Sequence, residues 1–218
     1  MGTKERRTRE REETREMILN AAREMFAEGG FDAVTMRAIA ERIEYTPTAI
    51  YHHFENKQAL LTELCQCDFE GLARHFKGAA VANDPVERIL AVGDAYLRFA
   101  EEHPSQYRFM FMTVLPRIEY SEQYVREARD NPERNAYAYL RDACRVAIEQ
   151  GRLRPEIDDA DQLAQILWGS VHGLIALRIA KHHQDWVPWR DLRASARMLM
   201  QMTLRGMLRD ASAAERGA

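Results

Sequence analysis

The stretch that decides the fold is residues 35–61, which read TMRAIAERIEYTPTAIYHHFENKQALL. Its apolar residues recur at helical spacing in three successive runs. Each run follows a residue whose side-chain oxygen suits a helix N-cap, namely Thr35, Thr46 and Asn56. The stretch therefore predicts two short helices, Met36–Ile43 and Pro47–His53, and a longer helix from Lys57 to about His75.

Two short helices joined by a tight turn and preceded by another helix have the outline of a helix-turn-helix. The preceding helix is predicted from Thr14 to Glu28, since the Gly29-Gly30 pair can end it in a left-handed conformation. The second short helix has a small, polar first turn over an apolar rear. The residues small enough to enter a major groove are Thr46, Pro47, Thr48 and Ala49. We therefore expect a DNA-binding domain, with an N-terminal arm, in residues 1–57.

The pattern stays helical over the rest of the chain, with Pro and Gly at boundaries and no alternating β-branched runs. Further helices are expected to end near Glu102, Met112, Arg129, Gln150, Lys181 and Leu208. The predicted fold class is all-α. It comprises the N-terminal three-helix domain and a C-terminal helical domain in residues 58–218.

Composition fits a soluble globule, with 46% hydrophobic and 30% charged residues in 218. Residues 1–57 hold 10 Lys+Arg and 11 Asp+Glu, so the basic balance usual for nucleic-acid binding is absent. DNA binding must therefore depend on the placement of individual residues. No apolar run approaches the ~20 residues of a membrane span, and three cysteines make no disulfide framework, so we expect a reducing cytoplasm.

The deciding stretch resembles the helix-turn-helix signature of the TetR family. The matching residues are Thr35, Ile39, Ala40, Thr46, Ile50, Tyr51, His53, Phe54, Asn56, Lys57, Leu60 and Leu61. The chain departs from the signature at Glu44 and Tyr45, where the family has a turn glycine and an aliphatic residue. A non-glycine residue at positive φ costs roughly 1 kcal/mol, so either the turn differs or the fold tolerates the strain.

The resemblance implies roles for individual residues at the DNA. Phosphate contacts are expected from Thr35, Tyr51, His53 and Lys57. The candidates for reading bases are Thr46, Thr48, Ala49 and His52, with Arg37 able to make a bidentate guanine contact. The alternatives are a helical packing motif in which Tyr51 and Phe54 are core aromatics, and a solvated His52.

The N-terminal arm carries both signs of charge. Its basic residues are Lys4, Arg6, Arg7, Arg9 and Arg11, which could reach a minor groove. Interleaved glutamates cancel much of that charge, so the preferred interpretation is a solvated, partly helical tail.

In the C-terminal domain, residues 103–111 and 167–173 resemble a TetR subgroup marked by a Trp-His-Gly pattern. The resemblance implies that the last two long helices pair with those of a second subunit. The expected interface residues are Gly169, His172, Gly173, Met198 and Met202. It also implies an effector cavity among the middle helices, lined by Tyr96, Phe99, Tyr107, Phe111, Tyr137 and Trp168. Ordinary core packing is the alternative for each of these aromatics.

The function expected is a homodimeric repressor that a small, largely apolar effector releases from a palindromic operator. The alternative is a helical DNA-binding regulator or activator without an effector. The sequence shows no glycine-rich phosphate loop, His-Glu-x-x-His zinc motif or nucleophile elbow, so we expect no enzyme, metal or cofactor. Cys65 and Cys67 fall on different helix faces, and a His182-His183-Asp185 metal site is less expected than a polar loop.

Overall fold

The computed structural model describes residues 3–79 and 82–209. Within those ranges it contains ten α-helices. One isolated β-bridge, between Leu153 and Leu208, lies outside the helices. The helices are α1 (Thr3–Gly29), α2 (Met36–Arg42), α3 (Pro47–Tyr51), α4 (Lys57–Ala79), α5 (Pro85–Glu102), α6 (Pro104–Met112), α7 (Glu122–Ala128), α8 (Ala136–Glu149), α9 (Ala160–Lys181) and α10 (Leu192–Met207). The all-α prediction is confirmed.

The three N-caps predicted from the sequence are confirmed by their hydrogen bonds. Thr35 Oγ1 accepts from Ala38 N at 3.1 Å, and Thr46 Oγ1 accepts from Ala49 N at 3.3 Å. Asn56 Oδ1 accepts from the backbone N–H of the third residue after it at 2.8 Å. These local bonds fix where α2, α3 and α4 begin.

Several helix limits differ from the prediction. The start predicted for α1 at Thr14 is wrong, because the helix already begins at Thr3. Two ion pairs at i,i+4 spacing, Arg6–Glu10 at 3.4 Å and Arg9–Glu13 at 3.5 Å, support its solvated first turns. Farther along, α3 ends at Tyr51 instead of His53, and α4 continues to Ala79 beyond the predicted end near His75.

The turn between α2 and α3 retains a left-handed residue although it lacks glycine. Glu44 has φ +61°, the only positive φ of a non-glycine residue in the described ranges. The hydrogen bonds Tyr45 N→Ala40 O (2.9 Å) and Glu44 N→Glu41 O (3.2 Å) form a Schellman motif. Of the two alternatives, a different turn or a tolerated strain, the structure shows the second: the turn geometry is kept, with Glu44 in the place of glycine.

The chain divides into two compact units. Unit 1 contains the described residues up to Asp68 together with His103–Glu122, and unit 2 contains Phe69–Glu102 and the described residues from Gln123 onward. In unit 1, α6 packs against α1, with the Phe26 and Phe109 rings stacked 6.2 Å apart. These boundaries differ from the predicted division at residue 57, since the first twelve residues of α4 and all of α6 belong to the same unit as the helix-turn-helix.

A buried ion pair joins three helices of unit 1. Asp68 of α4 is 1% exposed and is the only buried charged side chain in the described ranges. Arg23 of α1 donates to both carboxylate oxygens, at 2.8 and 2.7 Å, and Gln106 Nε2 of α6 donates at 2.9 Å. Burial raises the pKa of Asp68, against the opposing effect of Arg23 and Gln106. The carboxylate is therefore a shared acceptor for α1 and α6.

Unit 2 is built around α5, α8, α9 and α10, which pack against one another. Gly93 of α5 permits close approach of α10, because a Cβ there would lie 2.5 Å from Met200 Cε. In the described residues α9 is the one helix that is long and apolar enough, at 22 residues, to span a membrane by length and composition alone. The expectation concerned uninterrupted apolar runs, and polar residues such as Gln165, His172 and Arg178 do interrupt α9, so this helix meets the length-and-composition criterion only on average.

Candidate nucleic-acid interface

The first turn of α3 is exposed, and its rear is buried. Thr46, Pro47 and Thr48 are exposed and Ala49 is half-buried, whereas Ile50 has no exposed surface. The N-cap at Thr46 and the first-turn proline hold this short helix with its small side chains outward. A helix with a small, exposed N-terminal edge can enter a major groove without displacing core residues.

The residues at the end of α3 also face solvent. Tyr51 is 54% exposed and His52 is exposed. His53 is half-buried, and its Nδ1 is buried without a hydrogen-bond partner in the described part of the chain. Burial lowers the pKa of His53, with further lowering by Arg11, Arg15 and His52. The charged form of the ring is therefore disfavoured, and the burial of Nδ1 leaves Nε2 as the ring nitrogen for the predicted phosphate contact.

Lys57 has a structural role that sequence reasoning missed. Its Nζ donates to Phe31 O at 2.9 Å and to Val34 O at 2.8 Å, and it lies 4.2 Å from the centre of the Phe31 ring. The ammonium thus ties the start of α4 to the connection between α1 and α2. Two of its three N–H groups are used there, which leaves one for the predicted phosphate contact.

The other predicted polar residues retain groups that can bind DNA. Thr35 uses its oxygen as an acceptor in the N-cap, so its hydroxyl hydrogen can be donated to a phosphate. Arg37 is exposed and donates to Glu41 at 2.8 Å, one turn along α2. A guanine contact by Arg37 therefore has to compete with this surface ion pair.

Arg15 is a second residue that sequence reasoning missed. Its Nη1 donates to His53 O at 3.1 Å, its Nε donates to Glu63 at 2.6 Å, and its guanidinium lies 4.5 Å from the centre of the Phe54 ring. These contacts fasten α1 to the turn between α3 and α4. No local sequence pattern predicts these contacts, because Arg15 and His53 are 38 residues apart in the chain.

The six aromatics predicted to line one effector cavity are divided between the two units. Tyr107 and Phe111 lie on α6 in unit 1, with ring centres 5.1 Å apart, and Tyr107 is fully buried. The other four lie in unit 2, and they are Tyr96, Phe99, Tyr137 and Trp168. The placement of Tyr107 matches the alternative of an ordinary core aromatic.

Three of the unit 2 aromatics join His172 in a polar cluster. Trp168 Nε1 donates to Tyr96 Oη at 3.1 Å, and the same hydroxyl lies 3.1 Å from His172 Nδ1. The Tyr137 ring lies 6.3 Å from that of Trp168. Phe99 packs instead against the ring of His75, at 5.9 Å. We call Tyr96, Tyr137, Trp168 and His172 the aromatic cluster.

The predicted dimer residues fall into two groups. A Cβ added at Gly169 or Gly173 would meet no atom within 4 Å, so no helix among the described residues uses the space beside them. The two glycines, with exposed Ile166 and Leu177, form an apolar stripe on α9. Met198 and Met202, 63% and 66% exposed, form another on α10.

His172 does not belong to either stripe. It is half-buried and bonds within the aromatic cluster, and burial lowers the pKa of its ring. Its place at a subunit interface stays a prediction, since the structure describes a single chain. The spacing did correctly indicate that Trp168 and His172 are neighbours, since their rings are 6.5 Å apart.

The cysteines agree with the expectation of separate helix faces. Cys65 is buried and Cys67 is exposed. Burial raises the pKa of the Cys65 thiol to about 12, which keeps it protonated and unreactive at neutral pH. Within residues 3–79 and 82–209, no group of three or more His, Cys, Asp or Glu side chains is placed to hold a metal ion.

Two family profiles match the chain. The profile "Bacterial regulatory proteins, tetR family" matches residues 18–64, which include the helix-turn-helix. The profile "Tetracyclin repressor-like, C-terminal domain" matches residues 89–203, more than half of the chain. The chain belongs to the TetR family.

The chain is also similar in sequence or fold to individual TetR-family proteins. The chain is 28% identical to the HTH-type transcriptional regulator UidR of Escherichia coli over 170 residues, which cover 77% of this chain and 82% of UidR. It is 27% identical to the repressor KstR2 of Mycobacterium tuberculosis over 147 residues, 65% of this chain and 70% of KstR2. The SmeT–triclosan complex shares its fold, with a TM-score of 0.67 at 24% identity over 91% of this chain and 93% of SmeT.

Membership of the TetR family settles the general function. This TetR-family protein is a DNA-binding transcription regulator and not an enzyme. The exposed α3 edge is accordingly the candidate DNA-reading element of the chain. The subgroup marked by the Trp-His-Gly pattern stays a prediction.

Proposed function

We propose that this protein is a cytoplasmic, homodimeric repressor that binds a palindromic operator and leaves it when a small, largely apolar effector binds. The observation that carries the DNA-binding part is the exposed first turn of α3 above the buried Ile50. KstR2 is named as a repressor, which supports the direction of regulation.

Within this proposal, the residues of the interface divide by task. Side chains on the exposed edge of α3 read base edges, while the surrounding residues fix the position of the protein on the phosphates. The reading residues are Thr46, Thr48, Ala49 and His52, with Pro47 shaping the edge and Arg37 adding a guanine contact. The phosphate contacts come from Thr35, Tyr51, His53 and the remaining N–H of Lys57.

A second copy of the chain is the proposed occupant of the α9 and α10 stripes. An apolar helix face with no partner in its own chain is expected to be covered by another molecule. The two glycines leave room for a helix to approach α9 closely. A symmetric dimer would present two α3 helices to half-sites about 34–36 Å apart.

Placing carboxylates on the α10 stripe should prevent dimerisation. In the double variant Met198→Glu/Met202→Glu, a two-fold interface would bring like charges together and bury them, which costs several kcal/mol. We expect sedimentation equilibrium to show a dimer dissociation constant raised roughly 100-fold or more, with unchanged helical circular dichroism.

Gln201→Glu is the control for this variant, because Gln201 is exposed on α10 but lies in the groove beside α5. It should leave the dimer intact. A double variant that remains as dimeric as the wild type would contradict the proposed interface.

The effector is proposed to bind in unit 2 at the aromatic cluster with Phe99. The cluster combines apolar rings with the hydrogen-bonding groups of Tyr96 and His172, which suits an apolar molecule with a polar end. SmeT, which shares the fold, was solved as a complex with triclosan. Repression would end because the effector binds better to a dimer whose reading helices are wrongly spaced for the operator.

The test combines DNA selection with a ligand screen. From a random-sequence library the protein should select duplexes that contain an inverted repeat. In a screen of small aromatic compounds, those that bind should raise Tm and also release the selected duplex, since each binds a native state that is not DNA-ready.

Each part of the proposal can fail separately. A protein that selects no duplex would overturn operator binding. If compounds that raise Tm leave the duplex bound, the alternative of a regulator without a releasing effector is favoured. A reporter gene placed behind the selected sequence distinguishes a repressor from an activator.

A further inference from the structure

The first turns of α1 separate their charges by helix face. At 3.6 residues per turn, Lys4, Arg7 and Arg11 follow one another along a single face. The same face continues through Arg15 to Ile18, which is fully buried in unit 1. The balanced composition of the arm therefore conceals a basic stripe that is continuous with the core-facing side of α1.

The remaining arginines of this segment are neutralised by neighbours on other faces. Arg6 pairs with Glu10 and Arg9 pairs with Glu13. Lys4, Arg7 and Arg11 are exposed, and none of the three makes an ion pair within the described part of the chain. Their charges are consequently available to an outside anion.

The basic stripe starts beside the end of the reading helix. Arg15 Nη1 holds the backbone oxygen of His53, and Arg11 lies one turn earlier on the same face of α1. Arg11 is close enough for its charge to lower the pKa of His53. From Arg11 the stripe extends away from this anchor along the helix axis by about 10 Å to Lys4, at 1.5 Å per residue.

We propose that Lys4, Arg7 and Arg11 bind the DNA backbone phosphates beside the half-site read by α3. The inference rests on the proposed operator binding. Backbone phosphates are the fitting partner because positive charges repeated along one face of a rigid helix match the repeated negative charges of the DNA backbone. A helix about 10–12 Å in diameter does not fit a minor groove about 6 Å wide, so the minor-groove arm considered from the sequence is replaced by an outer phosphate contact.

Two double variants with the same change in charge test this stripe. Arg7→Gln/Arg11→Gln removes two cations from the stripe, and Arg6→Gln/Arg9→Gln removes two from the other faces. Glutamine is as good a helix former as arginine, so both should keep α1 helical by circular dichroism. Binding of a fluorescent duplex found by selection is measured by anisotropy between 50 and 300 mM KCl.

The stripe variant should give a salt dependence of log K that is shallower by about 1.8 per bound subunit, or about 0.9 for each lost phosphate contact. Its affinity at 0.1 M KCl should fall roughly tenfold per lost contact. The control variant should keep the wild-type slope. On a duplex trimmed to the inverted repeat itself, the difference between the two variants should disappear, since the flanking phosphates are gone.

Equal slopes for the two variants on the long duplex would overturn the inference while leaving operator binding intact. A difference that persists undiminished on the trimmed duplex would also overturn it, because the contact would then lie inside the half-site. If the wild-type protein selects no duplex at all, the proposed function fails and this inference fails with it.

Discussion

Replacing Thr48 with glutamate is expected to abolish binding of the selected duplex and to leave the folded protein unchanged. Thr48 is exposed in the first turn of α3, where an acidic residue is compatible with the helix dipole. In the complex, the same carboxylate would enter a groove flanked by phosphates. Repulsion of several kcal/mol corresponds to a loss of affinity of roughly 100-fold or more, which anisotropy titration at fixed salt would measure.

Thr48→Gln is the matched control for charge, because it has nearly the size of glutamate and no charge. It should retain measurable binding, with altered sequence preference if Thr48 contacts a base. Circular dichroism and sedimentation should be the same for both variants and the wild type. A Thr48→Glu protein with wild-type affinity would show that the first turn of α3 does not enter the groove.

The largest expected effect on stability follows from Arg23→Met. The side chain of Asp68 is 2% exposed and that of Arg23 is 16% exposed, so the variant leaves a carboxylate buried without its charged partner. Breaking a buried pair in this way costs about 3–5 kcal/mol of unfolding free energy. Arg42→Met is the control, because its pair with Glu24, at 3.6 Å and half-exposed, contributes at most about 1 kcal/mol.

The pH dependence of the Arg23→Met effect identifies its cause. The folded pKa of Asp68 is raised above its ordinary value of 3.8 by burial, so its contribution to stability is full below that value and is lost as pH rises through the folded pKa. Without Arg23 the folded pKa rises further. The difference in unfolding free energy between the variant and the wild type should therefore be smaller at pH 4 than at pH 8.

A second substitution checks this account of Asp68. In the Arg23→Met background, Asp68→Asn removes the charge and should recover part of the lost unfolding free energy at pH 8. Urea denaturation followed by circular dichroism gives these free energies. If the loss is equal at both pH values and Asp68→Asn recovers nothing, the cost comes from lost packing and not from an unpaired charge.

The helix-turn-helix could be predicted because its determinants are local. Thr35, Thr46 and Asn56 each accept a hydrogen bond from a backbone N–H three residues later, so the sequence shows both partners within one turn. The spacing of Trp168 and His172 likewise showed that they are neighbours. The sequence also raised two alternatives for Glu44, a different turn or a strained residue at positive φ. Only the structure decided between them.

The site residues were predicted less completely than the elements that hold them. Lys57 was expected to face a phosphate, yet two of its N–H groups hold carbonyls 23 and 26 residues earlier in the chain. The contact of His172 with Tyr96, 76 residues away, was likewise not predicted, while its interface role stays a prediction. A polar side chain can bond several kinds of partner, and the fold decides which of them lies within reach. The spacing of residues along the chain does not show which partner that will be.

The sequence by itself determined the helical class, the three N-caps and the small exposed edge of α3, since each follows from residues within a few positions of one another. Only the tertiary structure decided that α6 joins the helix-turn-helix unit, that Asp68 is held between Arg23 and Gln106, and that the unpaired cations of α1 share one face beside α3. The contacts that create these features join residues 38 to 83 positions apart, from Arg15–His53 to Phe26–Phe109. The basic stripe depends further on α1 beginning at Thr3, well before its hydrophobic pattern starts. Such contacts form when helices pack their buried surfaces together. The local pattern of residues predicts each helix but does not show which helices will pack against each other.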